Sequence, residues 1–527
     1  MIQEARSPAA VRLLVDRTRY AVHRVDDGND ANWSLRICRS GLHTTGKKPT
    51  PSTGGGANPL QDLDDLLVRC DSSSVTVFRG GCTPVPAFFW WQGAQLVIST
   101  SPDFGRRLRS DYLAQLLASA WRQPHEPLFA ETPFEGVQRA LKGHATRIDR
   151  SNRRVESTLL TFESSSWSAS CDDDVLDLIE ARIAERIRAL PKTQHVGLEL
   201  SGGIDSTLVG SVWNRVREDR IRTVYSIVYP FFEFRNERRH IDEARQLMRA
   251  DASFVDDGVA LTCLAQTELH RRFAEPNMGM YGMAQGHALY EQMRQAGCDY
   301  FLSGTAGDTL FTVGAAHFAS AVATGHSPDW LHGSQRKTYN DQVHLQASIW
   351  GDAGARQRLF YAGLTLDDAW VESAFETGAP CRLSPLVTAS LLPIGEWCTR
   401  PENARARLNK WPMRELLRRH GAPNIAARQG KVPYDGLYAR AYIDRQHWLS
   451  ALVHDMRHEL EHAGADSQAL AKALARRDVD EMDERNLAVA VSFLMWIRDL
   501  KRRRLSETDA PTDIELNHQP NRCLEPI

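Results

Sequence analysis

Short apolar stretches, separated by polar and glycine-rich segments, run through the first 160 residues of the chain. Strand-forming residues concentrate at 12–15, 74–78, 87–91 and 95–99, and a segment with helical spacing follows at 111–117. Residues 43–59 are rich in Gly, Pro, Thr and Lys, which predicts a surface loop. We expect a mostly β N-terminal region in which sheets pack face to face.

The hydrophobic pattern changes after a serine-rich stretch at 164–170, which predicts a linker. Apolar residues recur at helical spacing over 175–190, and strands are then predicted at 196–200, 221–229, 252–255 and 300–302, with a helix at 237–249. This alternation is typical of a parallel sheet covered by helices on both faces. The chain is predicted to be mainly helical beyond about residue 360 and to end in a polar, poorly ordered tail at 506–527.

The composition is that of an ordinary globular enzyme. The 527 residues are 42% hydrophobic and 25% charged, with a formal net charge of −2. This balance offers no general basic surface for nucleic acid, and no apolar run approaches the roughly 20 residues of a membrane span. The nine cysteines form no C-x-x-C pair, which favours a reducing compartment. We therefore expect a cytoplasmic protein without a nucleic-acid partner and without a membrane span.

A glycine turn between a predicted strand and a predicted helix carries the strongest chemical signal. The turn contains Ser201, Gly202 and Gly203, and Asp205 and Ser206 follow at the start of the helix. Strand, glycine turn and helix together direct free backbone N–H groups at a phosphate. Because the aspartate would repel a bare phosphate, its presence suggests a bridging Mg²⁺.

A second strand, predicted at 300–302, ends in a similar turn. Ser303, Gly304 and Gly307 precede Asp308 in this turn. Ligands of a doubly wound sheet lie at the carboxyl ends of its strands, so the two turns are expected to meet across one nucleotide. Asp205 and Asp308 are the predicted ligands of this Mg²⁺.

The two turns resemble those of a known enzyme group. The order Ser-Gly-Gly-Ile-Asp-Ser at 201–206 resembles the pyrophosphate loop (PP-loop) of the N-type ATP pyrophosphatases. The order Ser-Gly-x-x-Gly-Asp-x-x-Phe at 303–311 resembles the second nucleotide loop of asparagine synthetase-like enzymes. The resemblance implies ATP and Mg²⁺ as cofactors, and activation of a carboxylate or carbonyl as an adenylate with release of pyrophosphate. It also implies that the backbones of Leu200 and Ile227 hold the adenine.

Two C-terminal segments extend the resemblance. Residues 410–417 resemble the K-x-x-L-R segment of the family, and residues 427–436 resemble its R-x-K…D-G segment. The second match implies that Lys431 lies against the phosphates and the tetrahedral intermediate as the catalytic residue. A fixed cation at that place would stabilise the negative charge that develops on pyrophosphate.

The resemblance also implies a division of the chain and a fold class, α/β. Residues 133–145 are similar to the end of a glutamine-amidotransferase-like domain. We therefore expect a β-rich amidotransferase-like domain of the Ntn type at 1–165, inactive and degenerate. A PP-loop synthetase domain with a parallel sheet and a helical C-terminal part is expected at 172–505, followed by the polar tail at 506–527.

Departures from the family pattern reduce the number of family functions that fit this chain. Glutamine-hydrolysing members need a cysteine after Met1, and this chain has Ile2. Asparagine synthetases have Glu, and β-lactam synthetases Tyr, where this chain has Thr305. The pattern most resembles lasso-peptide isopeptide cyclases, which adenylate an Asp or Glu side chain of a precursor peptide and join it to the peptide's N-terminal amine as a macrolactam. The implied partners are that core peptide, a leader-peptide-binding protein and a leader peptidase.

Three other hypotheses remain at this point. A β-lactam synthetase-like or asparagine synthetase-like ligase would act on a small molecule in a more compact pocket. A catalytically silent interaction protein is disfavoured by Asp205, Asp308 and Lys431, which are all present. A tRNA-modifying pyrophosphatase is disfavoured by the near-neutral charge.

Overall fold

The architecture is described from a computed structural model. It describes residues 11–16, 20–24, 33–39, 66–81, 83, 85–103, 105–117, 130–160, 171–190, 195–229, 235–256, 283–312, 327–349, 381–399, 403, 405, 408–430, 441–476, 481–505 and 513–517. Ile2, the predicted loop at 43–59, the predicted linker at 164–170 and Lys431 lie outside these residues.

The N-terminal part contains two β-sheets. Their strands are β1 (Val11–Asp16), β2 (Tyr20–Arg24), β3 (Trp33–Arg39), β4 (Leu66–Cys70), β5 (Ser74–Arg79), β6 (Phe88–Gln92), β7 (Gln95–Ser99), β8 (Gln138–Arg139), β9 (His144–Asp149), β10 (Val155–Leu159) and, from the far end of the chain, β16 (Asp513–Asn517). One sheet has the order β16-β1-β7-β6-β8, and the other has the order β10-β9-β5-β4-β3-β2. The pairs of the second sheet are all antiparallel, whereas β1 and β7 form a parallel pair in the first.

The two sheets share one apolar core, as the sequence predicted. Leu13 of β1 and Ile98 of β7 are buried against Val68, Val77 and Ile148 of the opposite sheet. Alternate residues of a strand point to opposite faces, so Phe88 and Trp90 of β6 face away from this core and pack against helices. The strands predicted at 12–15, 74–78, 87–91 and 95–99 are confirmed as β1, β5, β6 and β7.

The sequence predicted a poorly ordered tail, but the tail contains one regular element. Residues 513–517 form β16, which pairs antiparallel with β1 from Arg12 opposite Asn517 to Asp16 opposite Asp513. Residues 513–517 alternate polar and apolar residues as a strand does, but the polar composition of the tail as a whole hid this short pattern.

The second half of the chain forms a parallel five-stranded sheet in the described residues, with the order β13-β12-β11-β14-β15. Its elements are α2 (Asp172–Arg188), β11 (Val196–Glu199), α3 (Ile204–Val216), β12 (Thr223–Val228), α4 (Arg235–Met248), β13 (Asp251–Asp256), α5 (Met283–Gln295), β14 (Tyr300–Leu302), α6 (Gly307–Phe311) and β15 (Cys381–Leu383). The predicted parallel sheet is confirmed, but β15 is an addition within a region expected to be helical.

Helices cover both faces of this sheet, as predicted. Leu198 and Leu302 pack with residues of α2 and α3 on one face. Phe301, the neighbour of Leu302 in β14, and Tyr225 of β12 pack with Tyr290 of α5 on the other face. The strands are buried on both sides, and their near-continuous apolar sequence follows from this arrangement.

Helices of the C-terminal part pack against both halves of the molecule. The remaining described helices are α7 (Gly333–Ile349), α8 (Leu392–Thr399), α9 (Trp411–Arg419), α10 (Pro423–Ala427), α11 (Gln446–Asp455), α12 (Arg457–His462), α13 (Ser467–Leu474) and α14 (Glu481–Leu505). The preceding helix α1 (Ser110–Leu117) and α14 share a core with β6. Within it, Phe134 and Trp496 meet edge to face with ring centroids 6.4 Å apart. No helix among the described residues is long and apolar enough to cross a membrane.

A buried histidine links three helices of the half that contains the parallel sheet. The ring of His420, which follows α9, contacts the Ser211 hydroxyl of α3 through Nδ1 at 2.8 Å and Glu180 of α2 through Nε2 at 3.1 Å. The side chain of His420 is 2% exposed. Burial lowers the pKa of His420, and Arg215 and Arg419 act in the same direction, although Glu180 opposes them.

We expect His420 to make the fold sensitive to acid. Because its pKa is lower in the folded protein than in the unfolded chain, its contribution to stability is complete above about pH 6.5 and is lost as the pH falls. Urea titrations between pH 5 and 8 should show a weaker pH dependence of the unfolding free energy in His420→Gln than in the unaltered protein. His454→Gln, at an exposed position of α11, is the control; equal pH dependence in all three proteins would contradict the prediction.

Candidate active site

The PP-loop makes a tight turn that depends on glycine. Gly202 has a φ of +64°, which other residues rarely adopt, and a Cβ there would lie 2.7 Å from the backbone nitrogen of Ile241 in α4. Gly203 is the N-cap of α3 and makes no side-chain cap hydrogen bond. The first turn of a 13-residue helix therefore begins directly after the turn, with N–H groups that have no partner inside the helix.

Two serines of the PP-loop face each other across the turn. The backbone N–H of Ser201 donates to the Ser206 hydroxyl at 3.3 Å, and the two hydroxyl oxygens are 3.4 Å apart. Ser206 is buried, whereas Ser201 is exposed. The loop thus exposes the Ser201 hydroxyl, while the buried Ser206 hydroxyl holds the shape of the turn.

The second nucleotide loop, residues 303–308, leaves β14 and is tied to the sheet edge. The backbone N–H of Ser303 donates to the Leu383 carbonyl of β15 at 2.9 Å. Ala306 adopts a left-handed conformation with a φ of +76° immediately before α6. The Ser303 side chain is buried, and its hydroxyl has no hydrogen-bond partner within the described part of the chain. A buried hydroxyl left unsatisfied at a loop of this kind is suited to a ligand.

The two loops are in direct contact, as their sequences predicted. A Cβ on Gly304 would overlap the backbone nitrogen of Ser206, and one on Gly307 would overlap the carboxylate of Asp205. Both glycines are therefore required for close approach rather than for an unusual φ. This contact brings Asp205 and Asp308 to the same edge of the sheet.

A lysine missed by the sequence interpretation joins the two aspartates. Lys410 Nζ donates to Asp205 Oδ2 at 2.6 Å and lies 2.7 Å from Asp308 Oδ1. The side chain of Lys410 is 10% exposed, that of Asp205 19% and that of Asp308 78%. One ammonium group therefore bridges the PP-loop and the second loop. Its partner in the second loop, Asp308, is open to solvent.

The backbone around Lys410 fixes the position of this cation. Lys410 has a φ of +57° and is the N-cap of α9, and its N–H donates to the Phe311 carbonyl at the end of α6. Burial disfavours the charged ammonium, but the carboxylates of Asp205 and Asp308 outweigh burial and raise the pKa of Lys410. The group is therefore charged at neutral pH.

An arginine of the R-x-K segment supports the PP-loop from the other side. Arg428 Nη1 donates to the Gly202 carbonyl at 2.9 Å, and Nη2 contacts Glu237 of α4. Arg414 of α9 donates to the Arg428 carbonyl at 2.5 Å and to that of Ala426 at 2.7 Å. Lys431, the lysine of this segment, is outside the described residues, and its predicted role stays a prediction.

A further cluster lies at the tips of β11 and β15. Arg382 Nε donates to Glu199 Oε2 at 3.1 Å, and Arg382 Nη2 donates to the Thr305 hydroxyl at 2.8 Å. The Ser384 hydroxyl donates to the Thr305 carbonyl at 2.7 Å. Thr305 is thus held by Arg382 of β15, a strand that the sequence did not predict, and by Ser384 directly after it.

The residues predicted to hold adenine lie on neighbouring strands. The backbone N–H of Leu200 donates to the Tyr225 carbonyl at 2.9 Å, and its carbonyl accepts the Ser226 hydroxyl at 2.6 Å. Only the second lone pair of that carbonyl is left for a ligand. Ile227 pairs with Val255 of β13 and is partly buried. An adenine contact at these two residues stays a prediction.

The residues fit a shared divalent cation. The Asp205 and Asp308 carboxylates already converge on one cationic group, the Lys410 ammonium. Mg²⁺ in nucleotide sites is commonly held by one or two carboxylates together with phosphate oxygens. The described residues contain no group of three or more His, Cys, Asp or Glu side chains that could hold a metal. A metal at this place would therefore take its other ligands from phosphate and water.

Comparison with known proteins bears on this part of the chain. Residues 174–389 match the family model described as asparagine synthase. No curated protein matches the chain. A similar solved structure is that of NMN synthetase from Francisella tularensis, with 11% identity over 45% of this chain and 97% of that chain; its TM-score of 0.18 does not establish a common fold. The family match covers both loops and β15, and it supports an asparagine synthetase-like assignment for the parallel-sheet half.

Proposed function

We propose that this protein is an ATP-dependent macrolactam cyclase. It adenylates an Asp or Glu side chain of a precursor peptide and joins it to the N-terminal amine of that peptide, with release of AMP and pyrophosphate. The observation that carries the ATP-dependent step is the Lys410 ammonium between Asp205 and Asp308. The choice of a peptide as substrate rests on the resemblance to lasso-peptide cyclases and on Thr305.

The chain's own groups account for triphosphate binding. The N–H groups at the start of α3 and the exposed Ser201 hydroxyl are suited to phosphate oxygens. Asp205 and Asp308 would hold Mg²⁺, which when bound would neutralise phosphate charge. Lys410 adds a positive charge that is fixed before the nucleotide arrives, so no reorganisation is needed as charge develops on pyrophosphate.

Adenylation and amide formation follow in order. An oxygen of the peptide carboxylate attacks the α-phosphorus of ATP, and pyrophosphate leaves towards the PP-loop and Lys410. The peptide amine then attacks the acyl carbon, and AMP leaves with the electrons of the broken C–O bond. Holding both groups in place converts a bimolecular encounter into a positioned one, with effective molarities of about 10⁵ M or more. Lys431 is the proposed cation beside the tetrahedral intermediate.

The amine is proposed to come from the peptide and not from glutamine. In the resemblance to lasso-peptide isopeptide cyclases, the amine that closes the ring is the N-terminal amine of the substrate peptide itself. The N-terminal half would then be an inactive amidotransferase-like domain that supports the synthetase half through its shared cores. A leader-peptide-binding protein and a leader peptidase are the proposed partners that supply the free N-terminal amine.

Replacing the bridged carboxylates should abolish nucleotide chemistry. Asp308→Asn and Asp205→Asn should each lower peptide-dependent AMP formation by roughly 10²–10³-fold, because each removes a proposed ligand of the Mg²⁺ that would neutralise the phosphate charge. Asp308 is 78% exposed and Lys410 keeps its contact with Asp205 in the Asp308 variant, so that variant should still fold, as circular dichroism would show. Asp329→Asn, at a carboxylate that is 99% exposed, is the matched control. Pyrophosphate release at the control's rate would refute the assignment.

The contact between the loops should be sensitive to a single methyl group. In Gly304→Ala the new Cβ overlaps the Ser206 backbone and forces the second loop away from the PP-loop. Misplacement of about 1 Å in such a site can cost roughly 10²-fold in rate, measured again as AMP formation. Gly333→Ala serves as control, since a Cβ there would meet no atom within 4 Å. Equal activity of the two variants would mean that the loops do not meet.

The reaction itself can be assayed with purified protein. ATP, Mg²⁺ and a core peptide with a free N-terminus and an internal Asp or Glu should yield AMP, pyrophosphate and a peptide lighter by one water. Tandem mass spectrometry should find no fragmentation between the two linked residues, and added glutamine should not change the rate. If a small amino acid is cyclised or amidated instead, the small-molecule ligase hypothesis replaces the peptide cyclase.

A further inference from the structure

Three side chains from separate segments meet beside the second loop. Arg382 of β15 contacts Glu199, the last residue of β11, and the hydroxyl of Thr305. The side chain of Arg382 is 10% exposed and that of Glu199 is 22% exposed. Thr305 is the position at which family members with other substrates carry Glu or Tyr. The cluster therefore includes the loop position whose residue differs between family members with different substrates.

Arginine cannot serve as a base at this position. Its guanidinium stays protonated in proteins, and its planar fork is suited to holding two acceptors in fixed positions. Arg382 does this with Glu199 Oε2 and Thr305 Oγ1. A carboxylate offers about four acceptor positions on two oxygens, so one N–H contact leaves Glu199 with capacity to accept a proton.

The order of strands places Arg382 and Ser384 on one side of the phosphates, and the Arg382 guanidinium reaches back from there to Glu199 at the end of β11. The residues predicted to hold adenine lie at β11 and β12, and the two loops that meet at Asp205 follow β11 and β14. Arg382 and Ser384 lie at β15, beyond β14, in the order β12-β11-β14-β15. A nucleotide with adenine at β12 and phosphates between β11 and β14 leaves the β14–β15 side for the acyl group and the amine.

We propose that Glu199 is the proton acceptor for the attacking amine and that Arg382 is its positioning residue. In this step the amine nitrogen forms a bond to the acyl carbon, the bond from that carbon to the AMP oxygen breaks, and one N–H proton passes to Glu199. AMP leaves as an anion, and Glu199 later returns the proton to solvent. The proposal rests on the proposed ligase function and adds a base to it.

The test separates the two half-reactions with hydroxylamine. This small nucleophile is neutral at neutral pH and traps an acyl adenylate as a hydroxamate without help from the peptide amine. Glu199→Gln should form hydroxamate from ATP and core peptide at the rate of the unaltered protein. Its macrolactam formation should fall by roughly 10²–10⁴-fold, the usual effect of losing a general base.

Two further variants distinguish a proton acceptor from a structural contact. Glu199→Ala should regain part of its macrolactam formation when formate is added, because a free carboxylate can replace the missing base. Arg382→Lys keeps the charge but not the fork, so it should lower macrolactam formation more than hydroxamate formation. Glu415→Gln is the matched control: Glu415 is paired with an arginine on the surface of α9, and its variant should match the unaltered protein in both reactions.

Several outcomes would overturn the proposal. Macrolactam formation by Glu199→Gln at the rate of the Glu415→Gln control would exclude Glu199 as the base. An equal loss of hydroxamate and macrolactam would assign Glu199 to adenylation instead. If Glu199→Gln does not fold, Glu199→Asp, which withdraws the carboxylate by one methylene, should show the same selective loss of macrolactam. Absence of hydroxamate with the unaltered protein would contradict the ligase function itself.

Discussion

A single buried ammonium group organises the site. Lys410 contacts Asp205 of the PP-loop and Asp308 of the second loop, so three segments far apart in the sequence meet at one charge. Removing one partner from a buried ion pair leaves an uncompensated charge and is far costlier than the same change on the surface. The distance between the loops, and with it the space for a triphosphate, therefore depends on this contact.

The packing around the site explains how the contact is maintained. Gly304 and Gly307 leave no room for a side chain between the loops, and Arg428 ties the Gly202 carbonyl to the segment that follows α10. The β15 strand anchors the second loop through Ser303, while α9 begins at Lys410. The two loops are consequently supported by elements on both sides.

The sequence predicted the parallel sheet and the meeting of the two loops, because periodic apolar runs and glycine turns are local signals. It did not reveal Lys410 as the bridging cation, because no local pattern around Lys410 indicates a contact with Asp205, which lies 205 positions away. It also missed β15, whose three residues are too short for a periodic pattern, and with it the contact of Arg382 with Glu199. The strand at 513–517 was missed because its short alternation of polar and apolar residues lies in a polar tail.

We propose that the edge of the parallel sheet that carries Asp205 and Asp308 activates a carboxylate by transfer of AMP. It can be tested most directly with a core peptide whose Asp or Glu carboxylate carries ¹⁸O. If the carboxylate attacks the α-phosphorus, mass spectrometry should find one ¹⁸O atom in the AMP that is released with each amide. Amide formation with the label in inorganic phosphate, or with unlabelled AMP, would contradict the account.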